Sequence, residues 1–262
     1  MSATTTTLSL ATGARIPQIG LGVWRAPQGA GTRDAVTAAL ELGYRQIDTA
    51  RVYGNEADVG AAVNQSSVPR SEVFVTTKLW NDDQGYDSAL RALDASLERL
   101  ALEYVDLYLI HWPVPRKRRE SWRALEAAFA AGKARAIGVS NYLVPPHVNQ
   151  IELTPFLQRK RTRALCAQRG IVVEAYSPLT RGARLDDPVL GAIARAVQRT
   201  PAQVLLRWGI QQGHVILPKS TRRHRIVENA ALFDFALDAA QMRKLDGLEE
   251  GLATGWDPEG AP

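Results

Sequence analysis

Residues 44–78 contain the runs Tyr44-Arg-Gln-Ile-Asp48 and Val73-Phe-Val-Thr-Thr-Lys78, separated by a segment, 56–63, with apolar residues three and four apart. The outer runs are short and apolar, so the stretch predicts strand, helix, strand. Strands joined through a crossover helix lie parallel. The same unit repeats in both directions. Strand candidates at 19–23, 105–111, 136–139, 148–153, 171–176 and 215–218 bring the total to eight. Amphipathic stretches at 35–42, 88–100, 122–130, around Leu165, 189–197 and 202–210 separate most of them, and Gly43, Gly132, Gly170 and Gly213 stand where helices should stop. Eight alternating units predict an α/β fold, a closed (β/α)8 TIM barrel, as a single domain over residues 1–262. Ahead of it, Thr7-Leu-Ser-Leu10 and Arg15-Ile-Pro-Gln18 flank a glycine-containing turn and predict an N-terminal β-hairpin.

The composition, 45% hydrophobic and 23% charged, is that of an ordinary soluble protein. No run approaches the ~18 apolar residues of a membrane span, and residues 1–7 have neither a basic nor an apolar leader pattern. The single cysteine, Cys166, excludes an intramolecular disulfide and any multi-cysteine metal site. A cytoplasmic protein without membrane association is expected. The four histidines show no metal-ligand spacing, so no metal is expected. The net charge of +5 raises nucleic acid as a partner, but the clusters Arg116-Lys117-Arg118-Arg119 and Arg159-Lys160-Arg161 lack interleaved aromatics, and that partner is not expected. A modest basic field can still steer an anionic cofactor or substrate. Gly20-Leu-Gly22 is only a G-x-G, and neither a P-loop nor a G-x-S-x-G elbow occurs.

Reactive groups of such barrels stand at the C-terminal ends of strands. The second apolar run ends in Asp48, with Tyr53 in the loop beyond it; the third ends in Lys78 and the fourth in His111. This set suits proton transfer to a carbonyl oxygen. A free Tyr titrates near ~10, too high for an efficient acid unless its anion is stabilised. A nearby ammonium favours the phenolate, and a buried carboxylate keeps that ammonium charged and placed. The imidazole can orient the carbonyl.

Gly43-Tyr-Arg-Gln-Ile-Asp-Thr-Ala50, Tyr53-Gly-Asn-Glu56, Val75-Thr-Thr-Lys-Leu-Trp80 and Tyr108-Leu-Ile-His-Trp-Pro113 resemble the motifs of the aldo-keto reductase superfamily. The similarity runs nearly the whole chain and is greatest to the bacterial 2,5-diketo-gluconate reductase-like branch. The resemblance implies hydride transfer from NADPH to an aldehyde or ketone, with Asp48, Tyr53, Lys78 and His111 as catalytic tetrad and Tyr53 as general acid. It also implies that Ser140, Asn141 and Gln150 hold the nicotinamide carboxamide and that Tyr176 stacks on the ring, with Ser177 and Leu179 beside it. Lys219, Ser220 and Arg225 take the 2′-phosphate, and Glu228 and Asn229 the adenine. Physical chemistry agrees on the phosphate, which favours a Lys, a hydroxyl and a forked Arg beside a helix N-terminus. Trp24, Trp80 and Trp112 follow strands one, three and four and are expected to line an apolar substrate pocket, with Trp256 reaching the same mouth. Thr154 stands where relatives commonly have His. Family members are often monomers, so a monomer or weak oligomer acting on a small carbonyl compound is expected.

Two other functions fit less of the sequence. A nicotinamide-binding regulatory protein of the same fold leaves the tetrad without purpose; a sugar-phosphate isomerase uses the basic segment but not the Asp-Tyr-Lys-His set. One feature departs from the pattern. Between strands five and six lies only Tyr142-Leu-Val-Pro-Pro-His147, too short and too proline-rich for a crossover helix. The expectation is a barrel lacking one outer helix, the apolar backs of those strands exposed or covered by another chain, and weakened nicotinamide binding. Failure of strand six to pair normally, or residues missing from the recorded sequence, are the alternatives.

Overall fold

Period-two alternation sorts the strand residues between two cores. Phe74, Leu107, Leu109, Ala136, Val148 and Val215 point inward and cluster with Leu10 and Ile16 of the hairpin. Tyr108, Ile110, Ile137, Val139, Ile151, Val173, Ala175 and Ile216 point outward into a second, larger core shared with the helices. The computed structural model, which describes residues 6–141 and 147–255, is a (β/α)8 barrel. The hairpin strands β1 (Thr7–Ser9) and β2 (Arg15–Pro17) pair antiparallel, Leu8 opposite Ile16. Eight parallel strands follow in chain order: β3 (Leu21–Gly22), β4 (Gln46–Asp48), β5 (Phe74–Leu79), β6 (Leu107–Ile110), β7 (Ile137–Ser140), β8 (Val148–Glu152), β9 (Val172–Tyr176) and β10 (Val215–Leu217). Parallel bridges Ile19–Ile216 and Gly22–Lys219 join the first strand to the last. The hairpin packs against the residues at the N-terminal ends of the strands, leaving the C-terminal ends as the mouth. Inward positions nearer the mouth are polar: Gln46, Asp48, Lys78, Gln150 and Glu174, all buried.

The outer layer comprises α1 (Ala30–Glu41), α2 (Glu56–Gln65), α3 (Tyr86–Leu100), α4 (Arg118–Ala130), α5 (Lys160–Gln168), α6 (Pro188–Ala196), α7 (Pro201–Gln211), α8 (Arg223–Ala230) and α9 (Ala239–Asp246). Local chemistry starts several of them. Thr200 and Gln203 form a capping box on α7, Asp238 and Gln241 another on α9, and Asp187 caps α6. α2 approaches α3 closely only because residue 60 is Gly: a Cβ there would lie 2.0 Å from the Leu100 carbonyl oxygen.

β8 pairs in parallel with β7 (Gly138–Val148, Ser140–Gln150) and with β9, which removes the alternative that strand six fails to pair. Residues 142–146 lie outside the described residues, and among those described no helix stands between β7 and β8. The His147 N–H reaches the Ile137 carbonyl at 3.3 Å, so the chain re-enters the sheet four residues back from Asn141, roughly 13 Å at ~3.3 Å per residue. The six peptide steps from 141 to 147 reach about 20 Å, which suffices. The expected exposure of the strand backs is corrected: Ile137, Val139 and Ile151 are all buried. They share one core with Leu125 and Ala128 of α4 and Cys166 of α5. The His147 ring lies 5.8 Å from Phe129 of α4, and Asn149 points its amide at Cys166 of α5.

Candidate active site

Alternation along three neighbouring strands delivers Asp48, Lys78 and His111 to the inner face of the mouth. Lys78 is completely buried. Its Nζ donates to both oxygens of Asp48 at 2.8 Å, to the Thr49 carbonyl at 2.9 Å and to the Tyr53 hydroxyl at 3.4 Å. Tyr53 ends a short 3-10 turn (Arg51–Tyr53) that Gly54 terminates at φ 71°. Burial pulls the Lys78 ammonium down, but Asp48 foremost, with Tyr53 and Glu174, more than offsets it, and the group stays charged. The phenol of Tyr53 corrects a simple expectation. Lys78 pulls it down as anticipated, yet burial is the larger effect and the net displacement is upward. Tyr53 therefore holds its proton at neutral pH.

His111 sits edge-on to Tyr53, with ring centroids 5.8 Å apart, and edge-on to Trp80 at 5.3 Å, and stacks on Trp112 at 5.9 Å. Burial first, and the Lys78 charge second, push its pKa well below the usual imidazole value, so the ring is neutral. Its buried Nδ1 has no partner among the described residues. Trp24 stands apart from this group. It is 37% exposed, with the guanidiniums of Arg25 and Arg181 over its ring at 4.4 and 4.6 Å. Trp256 lies outside the described residues.

The residues expected at the nicotinamide form one connected polar cluster. Tyr176 donates to Asn141 Oδ1 at 3.1 Å, Asn141 donates to Ser140 Oγ at 2.9 Å, and Ser140 donates to the Gln150 carbonyl at 3.0 Å. Asn141 adopts φ 65° and Ser177 φ 49°, backbone shapes that turn the chain sharply at the ends of β7 and β9. Leu179 is half-buried in the loop beyond. Gln150 faces inward: its Nε2 donates to Asp48 Oδ2 at 2.9 Å and to Glu174 Oε2 at 2.6 Å. Glu174 was missed in the sequence, although a carboxylate inside the apolar run Ile171-Val-Val-Glu-Ala-Tyr176 was the available signal. Thr154 is buried and its hydroxyl accepts the backbone N–H groups of Phe156 and Leu157, a purely local turn.

The third cluster lies beyond β10. Lys219 and Arg225 are exposed and have no acidic partner among the described residues. Partial burial lowers the Lys219 pKa. Ser220 Oγ accepts the Arg222 N–H at 3.1 Å at the start of α8. Glu228 is engaged with the α7 cap through Thr200 Oγ, and Asn229 is buried.

Comparison with known proteins matches residues 18–250 to the aldo/keto reductase family. The chain is 48% identical to 9,11-endoperoxide prostaglandin H2 reductase of Trypanosoma cruzi, over 94% of this chain and 92% of that one. It is 46% identical to glyoxal reductase of Bacillus subtilis, over 97% and 96%. The crystal structure of a substituted form of Gox0644 in complex with NADPH superposes with a TM-score of 0.92 at 42% identity, covering 98% of this chain and 99% of that one. With a family model matched over residues 18–250 and relatives 46–48% identical over nearly the whole chain, the chain belongs to the aldo/keto reductase family.

Proposed function

We propose that this protein reduces small aldehydes or ketones with NADPH, Tyr53 giving the proton to the carbonyl oxygen. The observation that carries the reading is the contact of the buried Lys78 with both the buried Asp48 carboxylate and the Tyr53 hydroxyl. A protonated Tyr53 is the correct starting form for an acid. As its proton leaves, the phenolate forms 3.4 Å from an ammonium that Asp48 holds in place. Neutral His111 is suited to donate a hydrogen bond to the substrate oxygen without competing as the acid. Trp80 and Trp112 present apolar surface around that oxygen.

The residues fit the cofactor. Two exposed cations lack acidic partners among the described residues, beside the Ser220 hydroxyl and the start of α8, which suits a dianionic 2′-phosphate. Ser140, Asn141 and Tyr176 offer polar groups for a carboxamide next to Asp48 and Gln150. When bound, NADPH supplies the hydride. The NADPH-complexed neighbour and the relative named for glyoxal support the cofactor and a small dicarbonyl among the substrates. The test is NADPH oxidation against a panel of aldehydes, ketones, glyoxal and diketo sugars. Turnover of at least one class is expected; tight NADPH binding with no turnover on any would leave a nicotinamide-binding protein without reductase activity.

A further inference from the structure

Glu174 is a fully buried carboxylate that the reduction scheme leaves without a task. Its Oε1 receives Gln46 Nε2 at 2.5 Å and its Oε2 receives Gln150 Nε2 at 2.6 Å. The same Gln150 nitrogen donates to Asp48 Oδ2 at 2.9 Å. An atom facing two carboxylates must be the amide nitrogen, so the orientation of Gln150 follows from chemistry. One amide group thereby ties Glu174 to the carboxylate beneath Lys78. Gln46 Oε1, by contrast, is buried with no partner among the described residues.

The charge count then matters. The ionisable groups facing Glu174 are Asp48 on β4 and Lys78 on β5, with Tyr53 beyond them; His111 is neutral. Asp48 and Lys78 balance one another, so an ionised Glu174 leaves one uncompensated negative charge in the barrel, and a protonated one leaves none. A carboxylic acid there needs an acceptor for its O–H, and turning the Gln46 amide brings its unpartnered oxygen to that place.

Resting on the reductase reading above, we propose that Glu174 is a positioning residue that governs Tyr53 through charge. With its proton held against Gln46 it eases departure of the Tyr53 proton, and when ionised it opposes that departure. No proton passes from Glu174 to the substrate; it exchanges with solvent. Burial first and Asp48 second raise the Glu174 carboxyl, against Gln150, Lys78 and Gln46, to about 7. Its negative charge in turn contributes to raising the Tyr53 phenol. Protonation of Glu174 thus favours reduction on the acid side of neutrality.

Glu174→Gln removes the charge and keeps the shape, and Gln46 can turn to pair with the new amide. In the parent, kcat for reduction should fall as pH rises through the neutral range. A displacement of Tyr53 by about one unit changes the rate at most about tenfold. In Glu174→Gln that step should vanish, with KM and NADPH affinity within about twofold of the parent. An identical step in parent and variant overturns the proposal. A second measurement needs no turnover and separates this idea from the reductase reading. In ultraviolet titration, the phenol signal that disappears in Tyr53→Phe should ionise at lower pH in Glu174→Gln; an unmoved signal also overturns it. Should the variant not fold, carbon-13 labelling of glutamate carboxyls in the parent serves instead. One carboxyl titrating near neutrality is expected, and its absence sinks the proposal.

Discussion

The mouth of β4–β6 and the segment running from β10 into α8 are built on opposite principles. At β4–β6, Lys78 has no contact with solvent and reaches four oxygen atoms of Asp48, Thr49 and Tyr53. Beyond β10, Lys219 and Arg225 are exposed cations with no acid opposite them among the described residues. A group that must stabilise charge during a reaction works best when already desolvated and held in place, because no reorganisation is then needed. Groups that capture a free anion gain from remaining hydrated and unpaired, since a protein acid opposite them would compete with the ligand. On the proposed function the contrast divides the labour: one region would set the rate, the other the affinity and the choice of cofactor.

The sharpest way to break that division is to remove the proposed proton donor. Tyr53→Phe should cut kcat by roughly 10²–10⁴-fold, the range of positioned acid catalysis, and leave NADPH affinity within about threefold. Steady-state kinetics and cofactor fluorescence titration check both halves; a variant retaining a third of parental activity would take Tyr53 out of the mechanism. Next in size is Lys78→Met. It strands the Asp48 carboxylate in the barrel with Gln150 as its remaining side-chain donor. Breaking a buried pair costs about 3–5 kcal/mol, so denaturant unfolding should show a loss of that order along with lost activity. Asp48→Asn, which takes from the ammonium its direct carboxylate partner, should damage stability as well, whereas neither Lys219→Ala nor Arg225→Ala should lower it by more than about 0.5 kcal/mol.

Arg225→Ala addresses the other region. A charged hydrogen bond is worth about 1.5–3 kcal/mol, so NADPH affinity should fall by roughly 10- to 100-fold while NADH affinity and kcat barely change. Equal losses for the two cofactors would place the 2′-phosphate elsewhere.

The same contrast explains what was legible in the sequence. Runs such as Val73–Lys78 and Ile171–Tyr176 announce strands because burial on both faces demands apolar, β-branched residues. Strand ends then name Asp48, Lys78 and His111 almost by arithmetic. α9 escaped notice because only Leu245 of its residues is buried, so no apolar stripe marks it; the Asp238–Gln241 capping box was its readable sign. The Gln46–Glu174–Gln150–Asp48 chain was not legible, since it joins residues 128 and 102 positions apart through barrel register. The net direction of the Tyr53 displacement was not legible for a related reason: the ammonium is visible in the motif, the depth of burial is not. The backs of β7 and β8 were expected to lie exposed or under another chain because helices are counted along the chain, whereas Ile137, Val139 and Ile151 share one buried core with residues of α4 and α5.

The smallest effect gives the finest discrimination between the two regions. Screening acts over a Debye length, about 10 Å at 0.1 M salt and about 3 Å at 1 M, and acts far more weakly on pairs that solvent cannot reach. Lys219 and Arg225 stand in solvent, and so does any anion arriving at them. Lys78 and Asp48 are buried in the low-dielectric barrel with the half-buried Tyr53 hydroxyl against them, so added ions screen them weakly. Raising salt from about 0.1 to 1 M should therefore weaken NADPH binding several-fold, with a smaller effect on NADH, which lacks the extra phosphate. At saturating cofactor, kcat should stay within about 1.5-fold over the same range, because the Lys78–Tyr53 interaction is weakly screened. In Arg225→Ala the salt slope for NADPH should shrink toward that for NADH. A kcat that tracks salt as steeply as the affinity does would mean that the Lys78 site opens to solvent during turnover, and the division between a buried catalytic region and an exposed binding region would not hold.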